Sequence, residues 1–370
     1  KAHRFAGSKD RSAIGNLVHD ALRRKSSLAW RMDSELPRGL VFGAAVFDGG
    51  HDLDTLVADL TGDKFAPKPL SSDELSKLRG AISLADAPDW VQADVPEWLW
   101  PAFSNNFGED AVAEGQALTN RPPLDMRVNT IRTDKKAAFD SLKAFGAIQG
   151  ELSPVGLRIP AVVGDQRHPN PQSEPVYLTG GIEIHDEGSQ IVSQLVNAQP
   201  GDKILDYCAG GGGKSLALAA DMSNKGAVHA FDVDKRRLAP VYERAMRAGA
   251  DIIDIRQPPL DSLTSLFQSM DKVLIDAPCS GVGTWRRKPD AKWRLSEDAL
   301  DRRLKEQRLV LNQAKNYVRP GGLMFYVTCS MLAEENEAQV YQFLEDNDGF
   351  ELLSAGEVWE EKFGTEAPKP

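Results

Sequence analysis

Apolar positions recur at helical spacing through about the first 85 residues. Ile14, Leu17, Val18, Ala21 and Leu22 fall on one face of a helix expected between Ser8 and Ala29. The stretch "SSDELSKLRGAI" opens with Ser71 and Glu74, the spacing of a capping box that starts a helix. An aromatic patch follows, "PEWLWPAFSNNFG", whose Trp98, Trp100, Phe103 and Phe107 are expected in a core rather than stacked on bases. From Leu124 the rhythm becomes strand, helix, strand over "LDMRVNTIR", "DKKAAFDSLKAFG" and "VGLRIP", which predicts a small α+β unit. The polar, Pro-rich "VGDQRHPNPQSEP" then reads as a loop or domain joint.

Beyond it, helix and strand alternate regularly. "DEGSQIVSQLV" sets Ile191, Val192, Leu195 and Val196 on one helical face. "DKILDYC", "AVHAFDVD", "DKVLIDAPC" and "GLMFYVTC" are short apolar runs of strand length, with helical stretches between most of them. That alternation predicts an α/β unit, a mostly parallel sheet wrapped by helices.

Composition narrows the setting. With 370 residues, 41% hydrophobic and 26% charged, the chain can bury a large core and divides into two or three domains. No apolar run approaches the roughly 18 residues of a membrane span, so no membrane partner is expected. The first residue is Lys, so the sequence is expected to begin inside a longer chain. Three cysteines without close pairing argue for a reducing cytoplasm and against a disulfide framework.

The net charge of −10 is unevenly spread. Residues 331–370 hold eleven acids and two lysines, whereas residues 1–36 hold eight Lys/Arg against four acids. The segment 284–308 holds nine basic residues against five acidic ones. The expectation is that Arg286, Arg287, Lys288, Lys292 and Arg294 track a phosphate backbone; the plainer alternative is a solvated helix face.

The first of the four strand-like runs enters "DYCAGGGGKS", where consecutive glycines let a backbone approach a ligand beside a helix N-terminus. A P-loop would need glycine where Cys208 stands, and a dinucleotide fingerprint would need it at Ser215. An S-adenosylmethionine site asks only for the glycine turn and an acid ending the next strand. Asp232, 18 residues after Lys214, is that acid.

Cys208, Cys279 and Cys329 each follow an apolar strand run, which places all three on the sheet edge where ligands bind. Spacings of 71 and 50 residues do not suit a zinc site, and no metal is expected. Cys208 suits a buried small hydrophobe. "DAPCSG" and "TCS" are polar and turn-like, which suits reactive thiols better. Pyrimidine carbon 5 is a poor nucleophile until a thiolate adds to carbon 6 and turns the ring into an enamine that a sulfonium methyl can alkylate. Release requires loss of the carbon-5 proton, for which a second thiol can serve as base. A carboxyl group such as that of Asp276 can hydrogen-bond the ring edge. This chemistry does not say which cysteine attacks.

The motifs "HDEGSQ", "LDYCAGGGGKS", "FDVD", "LIDAPCSGVGTWRRKPDAKW" and "GGLMFYVTCSMLAEEN", in this order, resemble the RsmB/Sun family of RNA 5-methylcytosine methyltransferases, over roughly residues 90 to 345. The resemblance implies a Rossmann-like S-adenosylmethionine-dependent methyltransferase fold, preceded by an α+β RNA-binding unit and a helical N-terminal region. The implied division is 1–88 helical, 89–170 α+β, 171–355 catalytic and 356–370 an acidic tail. It makes Cys329 the nucleophile and Cys279 the release base, with Asp276 beside them. It makes Cys208, Ala209, the glycines Gly210, Gly211, Gly212 and Gly213, Lys214, Asp232, Gln257 and Asp276 the cofactor border. The implied substrate is RNA, ribosomal first and transfer RNA second, acted on by a monomer.

Three positions depart from the family pattern. Gly211 replaces a proline, Gln257 stands where an acid facing the adenine is usual, and His185 stands where glutamine is usual. A catalytically weak RNA-binding or assembly factor on the same fold is therefore the alternative expectation.

Overall fold

The computed structural model describes residues 7–62, 66–162, 164, 166 and 169–368. The periodic N-terminal stretch forms two helices, Ser8–Arg23 and Lys25–Met32, where the pattern alone suggested one. The break falls at Arg24, whose dihedrals (φ −117°, ψ 31°) leave the helical region while its side chain bonds Asp48 and Thr119. Only part of the apolar stripe is buried: Ala21 is covered, whereas Ile14 and Val18 are exposed. Helices Pro37–Gly43, Leu53–Gly62 and Ser72–Arg79 complete this region. The capping box forms as expected, with Ser71 Oγ accepting from Glu74 N (3.1 Å) and Glu74 Oε2 from Ser71 N (2.8 Å).

The aromatic patch is core. Phe103, on helix Trp100–Phe107, is fully buried, with Trp98, Trp100 and Phe107 packed around it. The same cluster contains Val282 and Trp285, which follow Cys279 in sequence, and Leu332, which follows Cys329. This middle segment thus packs beneath the loops that follow strands Met270–Asp276 and Val318–Val327 of the parallel sheet.

Strands β1 (Leu124–Val128), β2 (Ile148–Gln149), β3 (Gly156–Ile159) and β4 (Ile182–Ile184) form an antiparallel sheet in the order β2-β3-β1-β4. Helix Lys135–Leu142 packs on it through Ala138 and Leu142, against Met126, Val128 and Leu157. The sheet extends past the expected boundary at residue 170, because β4 pairs with the free edge of β1 (Met126 opposite Ile184). Part of the Pro-rich joint, residues 163, 165, 167 and 168, lies outside the described residues.

The second sheet is entirely parallel: β5 (Lys203–Asp206), β6 (Ala227–Phe231), β7 (Ile253–Arg256), β8 (Met270–Asp276) and β9 (Val318–Val327), in the order β7-β6-β5-β8-β9. Strands covered on both faces are apolar throughout, as Leu205, Val273 and Ile275 are here. The strand order reverses at β5, so the crevice beside β5 and β8 is the place where an open α/β sheet binds its ligand. Asp206 and Asp276 end those two strands. In the acidic tail, helix Ala355–Phe363 returns to the domain, and Lys362 Nζ reaches Asn197 Oδ1 at 3.3 Å.

Candidate active site

The loop from β5 to helix Gly213–Asp221 turns on two glycines in the left-handed region, Gly210 (φ +51°) and Gly212 (φ +76°), where a side chain would be strained. Asp232, directly after β6, is buried and braces the loop by accepting from Gly210 N at 3.0 Å. Arg237 pairs with that same oxygen, Oδ2, at 3.2 Å, while Oδ1 accepts from Asp234 N (2.9 Å). Each carboxylate oxygen has two acceptor sites, so Asp232 retains capacity for a ribose hydroxyl.

Asp206 is fully buried; its Oδ2 accepts from Ser215 Oγ (2.6 Å) while Oδ1 has no partner. Burial raises its pKa to about 7. An orphaned carboxylate oxygen beside a glycine turn fits a ligand carrying an ammonium group, as S-adenosylmethionine does. Cys208 packs against the core, and burial pushes its thiol pKa up, as suits an inert side chain. Gln257 follows β7 and donates to Tyr242 Oη at 2.9 Å. Asp254, the nearby acid, is committed within β7 to His229 (3.0 Å) and Arg256 (2.7 Å).

The register of β8 and β9 sets Asp276 opposite Val327, so the chain reaches Cys279 three residues later and Cys329 two residues later. Their sulfurs lie 3.2 Å apart. Lys214 Nζ donates to Asp276 Oδ2 at 2.6 Å, linking the glycine loop to the cysteine edge. The pKa of Cys329 is lowered, first by the hydrogen bond from Cys279; Lys214 and Lys288 help, against burial and Asp276. That of Cys279 is raised by the same hydrogen bond, then by burial, Cys329 and Glu335. Both shifts favour placing the anion of the pair on Cys329 rather than on Cys279.

Residues that the sequence reading gave no role hold this edge in shape. Glu335 is fully buried and accepts from Ser280 N (2.7 Å), from Ser280 Oγ and from Gln307 Nε2 (3.0 Å). Gln307 also donates to Pro278 O at 2.9 Å. Asn336 accepts from Thr328 Oγ1 (2.6 Å) and donates to Ser330 O (3.2 Å), fixing the loop that carries Cys329. The signal was the Glu-Asn pair that ends "TCSMLAEEN", a motif without an evident role until the fold placed it.

The basic segment needs correcting. Lys292 does not face solvent: it is buried, and Nζ donates to the carbonyls of Arg23 and Asp94, both at 2.8 Å. The short helix Pro289–Arg294 turns that face inward, with the ammonium near the rings of Trp285 and Trp293. Burial lowers its pKa to about 8. Arg287 is also committed, to Asp186, to Asp125 at 3.3 Å and to Pro123 O at 2.8 Å. Arg286 is half-buried, Lys288 exposed, and Arg294 exposed but paired with Asp290.

Among the described residues no helix is long and apolar enough to cross a membrane, and no cluster of three or more His, Cys, Asp or Glu is placed to hold a metal.

Residues 193–367 match the family described as 16S rRNA methyltransferase RsmB/F, and residues 95–163 match the ferredoxin-like domain of RsmF/B-like methyltransferases. A probable ribosomal RNA small subunit methyltransferase B from Synechocystis sp. is 31% identical over 265 residues, 70% of this chain and 58% of that protein. The Bacillus subtilis protein of the same description is 30% identical over 261 residues, 69% of this chain and 57% of its own length. The chain thus spans less than two thirds of these relatives. Among solved structures, a methyltransferase homolog from Pyrococcus horikoshii superposes with a TM-score of 0.61 at 26% identity, covering 72% of this chain and 83% of that one. NSun6 from Pyrococcus horikoshii shares the fold, with a TM-score of 0.61 at 19% identity over 68% of this chain and 87% of its own. The parallel-sheet domain of this chain has the Rossmann-like fold of S-adenosylmethionine-dependent methyltransferases, and the chain belongs to the RsmB/Sun family.

Proposed function

We propose that the protein methylates carbon 5 of cytosine in ribosomal RNA, using S-adenosylmethionine and a covalent cysteine adduct. The observation that carries this reading is the unlike pair of thiols, 3.2 Å apart, beside a lysine-held carboxylate at the ligand edge of the sheet. A transferase acting on an exocyclic amine needs no thiol, because the nitrogen lone pair attacks directly. The relatives named for the small ribosomal subunit RNA suggest the RNA class.

Cys329, the thiolate of the pair, adds to carbon 6, and the displaced electron pair makes carbon 5 an enamine carbon. S-adenosylmethionine, when bound, supplies the electrophilic methyl group that carbon 5 takes. The glycine loop and Asp232 are the residues that would hold it, with Asp206 beside its ammonium. Asp276, with Oδ2 on Lys214, has its other oxygen for the amino group that distinguishes cytosine from uracil. Once the Cys329 sulfur is bonded to carbon, the largest cause of the raised Cys279 pKa is gone, and Cys279 can release its proton to solvent. Its thiolate then takes the carbon-5 proton, the ring double bond re-forms and Cys329 leaves as thiolate.

The test is to incubate the protein with small-subunit ribosomal RNA and radiolabelled S-adenosylmethionine, then digest the RNA to nucleosides. Label in 5-methylcytidine is the expected result. Label in an N-methylated nucleoside, or none although S-adenosylmethionine binds, overturns the reading.

A further inference from the structure

Four consecutive glycines make the loop after β5 the most expensive kind of backbone to hold in one conformation, since glycine has the most freedom to lose. Two of its carbonyls are nevertheless fixed, and the groups that fix them trace back to the other sheet. Arg127, on β1 and buried, donates Nη1 to Gly213 O at 2.8 Å and to His185 Nδ1 at 2.9 Å. His185 sits among Arg127, Lys214 and Arg244, and burial, with those cations, keeps its pKa well below the usual value. It is therefore neutral and can accept from Arg127. Arg244, on helix Lys235–Ala248, donates Nη1 to Gly211 O and Nη2 to Glu183 Oε2 (3.1 Å). Glu183, on β4, is buried and also takes Arg247.

A buried carboxylate that lost one of these arginines would be left under-compensated, so Glu183 fixes where Arg244 can go. The carbonyls held are those on either side of Gly212, the glycine with φ +76° that caps helix Gly213–Asp221. Between them, the two arginines restrain the turn from both sides.

We propose that Arg127 and Arg244, the latter braced by Glu183, are positioning residues that lock the glycine loop in its cofactor-binding conformation. The antiparallel sheet is then part of the S-adenosylmethionine site and not only a neighbour of it. This rests on the loop being the cofactor site, as argued above.

The experiment uses the full chain and two variants, Arg244→Met and Glu183→Gln, chosen because Arg127 is too deeply buried to replace safely. Amide hydrogen exchange is measured first, without cofactor. Faster exchange over residues 210–214, with β5 amides unchanged, is expected in both variants. S-adenosylmethionine affinity by calorimetry should fall at least about tenfold for Arg244→Met, while RNA affinity stays within about twofold. Unchanged loop exchange and cofactor affinity in the folded variants overturn the proposal. So does a loss that appears equally in the loop, in β5 and in RNA binding, because that marks a general structural tie. Failure of the unaltered protein to bind S-adenosylmethionine would instead count against the proposed function, since the exchange measurement does not involve the cofactor.

Discussion

The sulfurs of Cys279 and Cys329 lie 3.2 Å apart, close enough to share one proton. Their surroundings are unlike: Lys214 and Lys288 act on Cys329, Glu335 on Cys279. The leading cause of the lowered Cys329 pKa is the hydrogen bond from Cys279, which stabilises the anion.

A lowered pKa keeps the thiolate present at lower pH. Single-turnover adduct formation should therefore rise with pH and level off below about 8.5, the value of a free cysteine. In Cys279→Ala the leading cause is gone, so the rise should shift to higher pH. Superposable profiles for the two proteins would show that Cys279 does not tune the nucleophile.

Gly212 is expected to tolerate no β-carbon. Its φ is +76°, and a β-carbon there would lie 3.0 Å from the Val241 methyl groups. Gly212→Val should weaken S-adenosylmethionine binding at least about tenfold, or about 1.4 kcal/mol, and leave RNA affinity largely unchanged. Calorimetry with the cofactor, beside filter binding with RNA, checks both halves. Equal loss of the two affinities would mean that the variant is misfolded rather than misshapen at the loop.

Lysines four residues apart should behave differently. Lys292 is buried on two carbonyls, so Lys292→Ala leaves polar groups unpaired and should cost roughly 1–3 kcal/mol of stability. Thermal unfolding should register that loss, and the salt dependence of RNA binding should not change. Lys288 is exposed beside the cysteine edge. Lys288→Ala should leave the melting temperature alone and flatten the log–log salt slope by about one unit. The reverse pattern would place the phosphate contact on the wrong lysine.

The contrast between Lys288 and Lys292 also shows where the sequence stops being informative. Period and strand length brought out the parallel sheet, and the ends of its strands brought out Asp232, Cys279 and Cys329, because those placements depend on local pattern. Burial of a lysine depends on which helix face meets Trp285 and Arg23, a tertiary fact that a run of basic residues conceals. The same holds for Glu335 and Glu183: each looks like any surface acid in sequence and acquires its role only when Ser280 or Arg244 arrives from far along the chain. β4 leaves no strand signal in the sequence, because its three residues carry too little pattern to be recognised.

The roles of the two cysteines can be separated only by the covalent intermediate. If Cys329 attacks carbon 6, Cys329→Ala removes the bond-forming sulfur and should give neither turnover nor an RNA adduct. If Cys279 acts in release, Cys279→Ala should still attack and methylate, then stall with RNA attached through Cys329. The two variants are equally inactive in a turnover assay. On a denaturing gel with S-adenosylmethionine and small-subunit RNA, Cys279→Ala should produce a slow band and Cys329→Ala none. The distance of 3.2 Å makes an exchange of roles geometrically easy, so the gel is a real test of the assignment. A slow band from Cys329→Ala alone would falsify it and make Cys279 the nucleophile. The double variant controls for crosslinks at Cys208, whose burial and raised pKa predict no band at all.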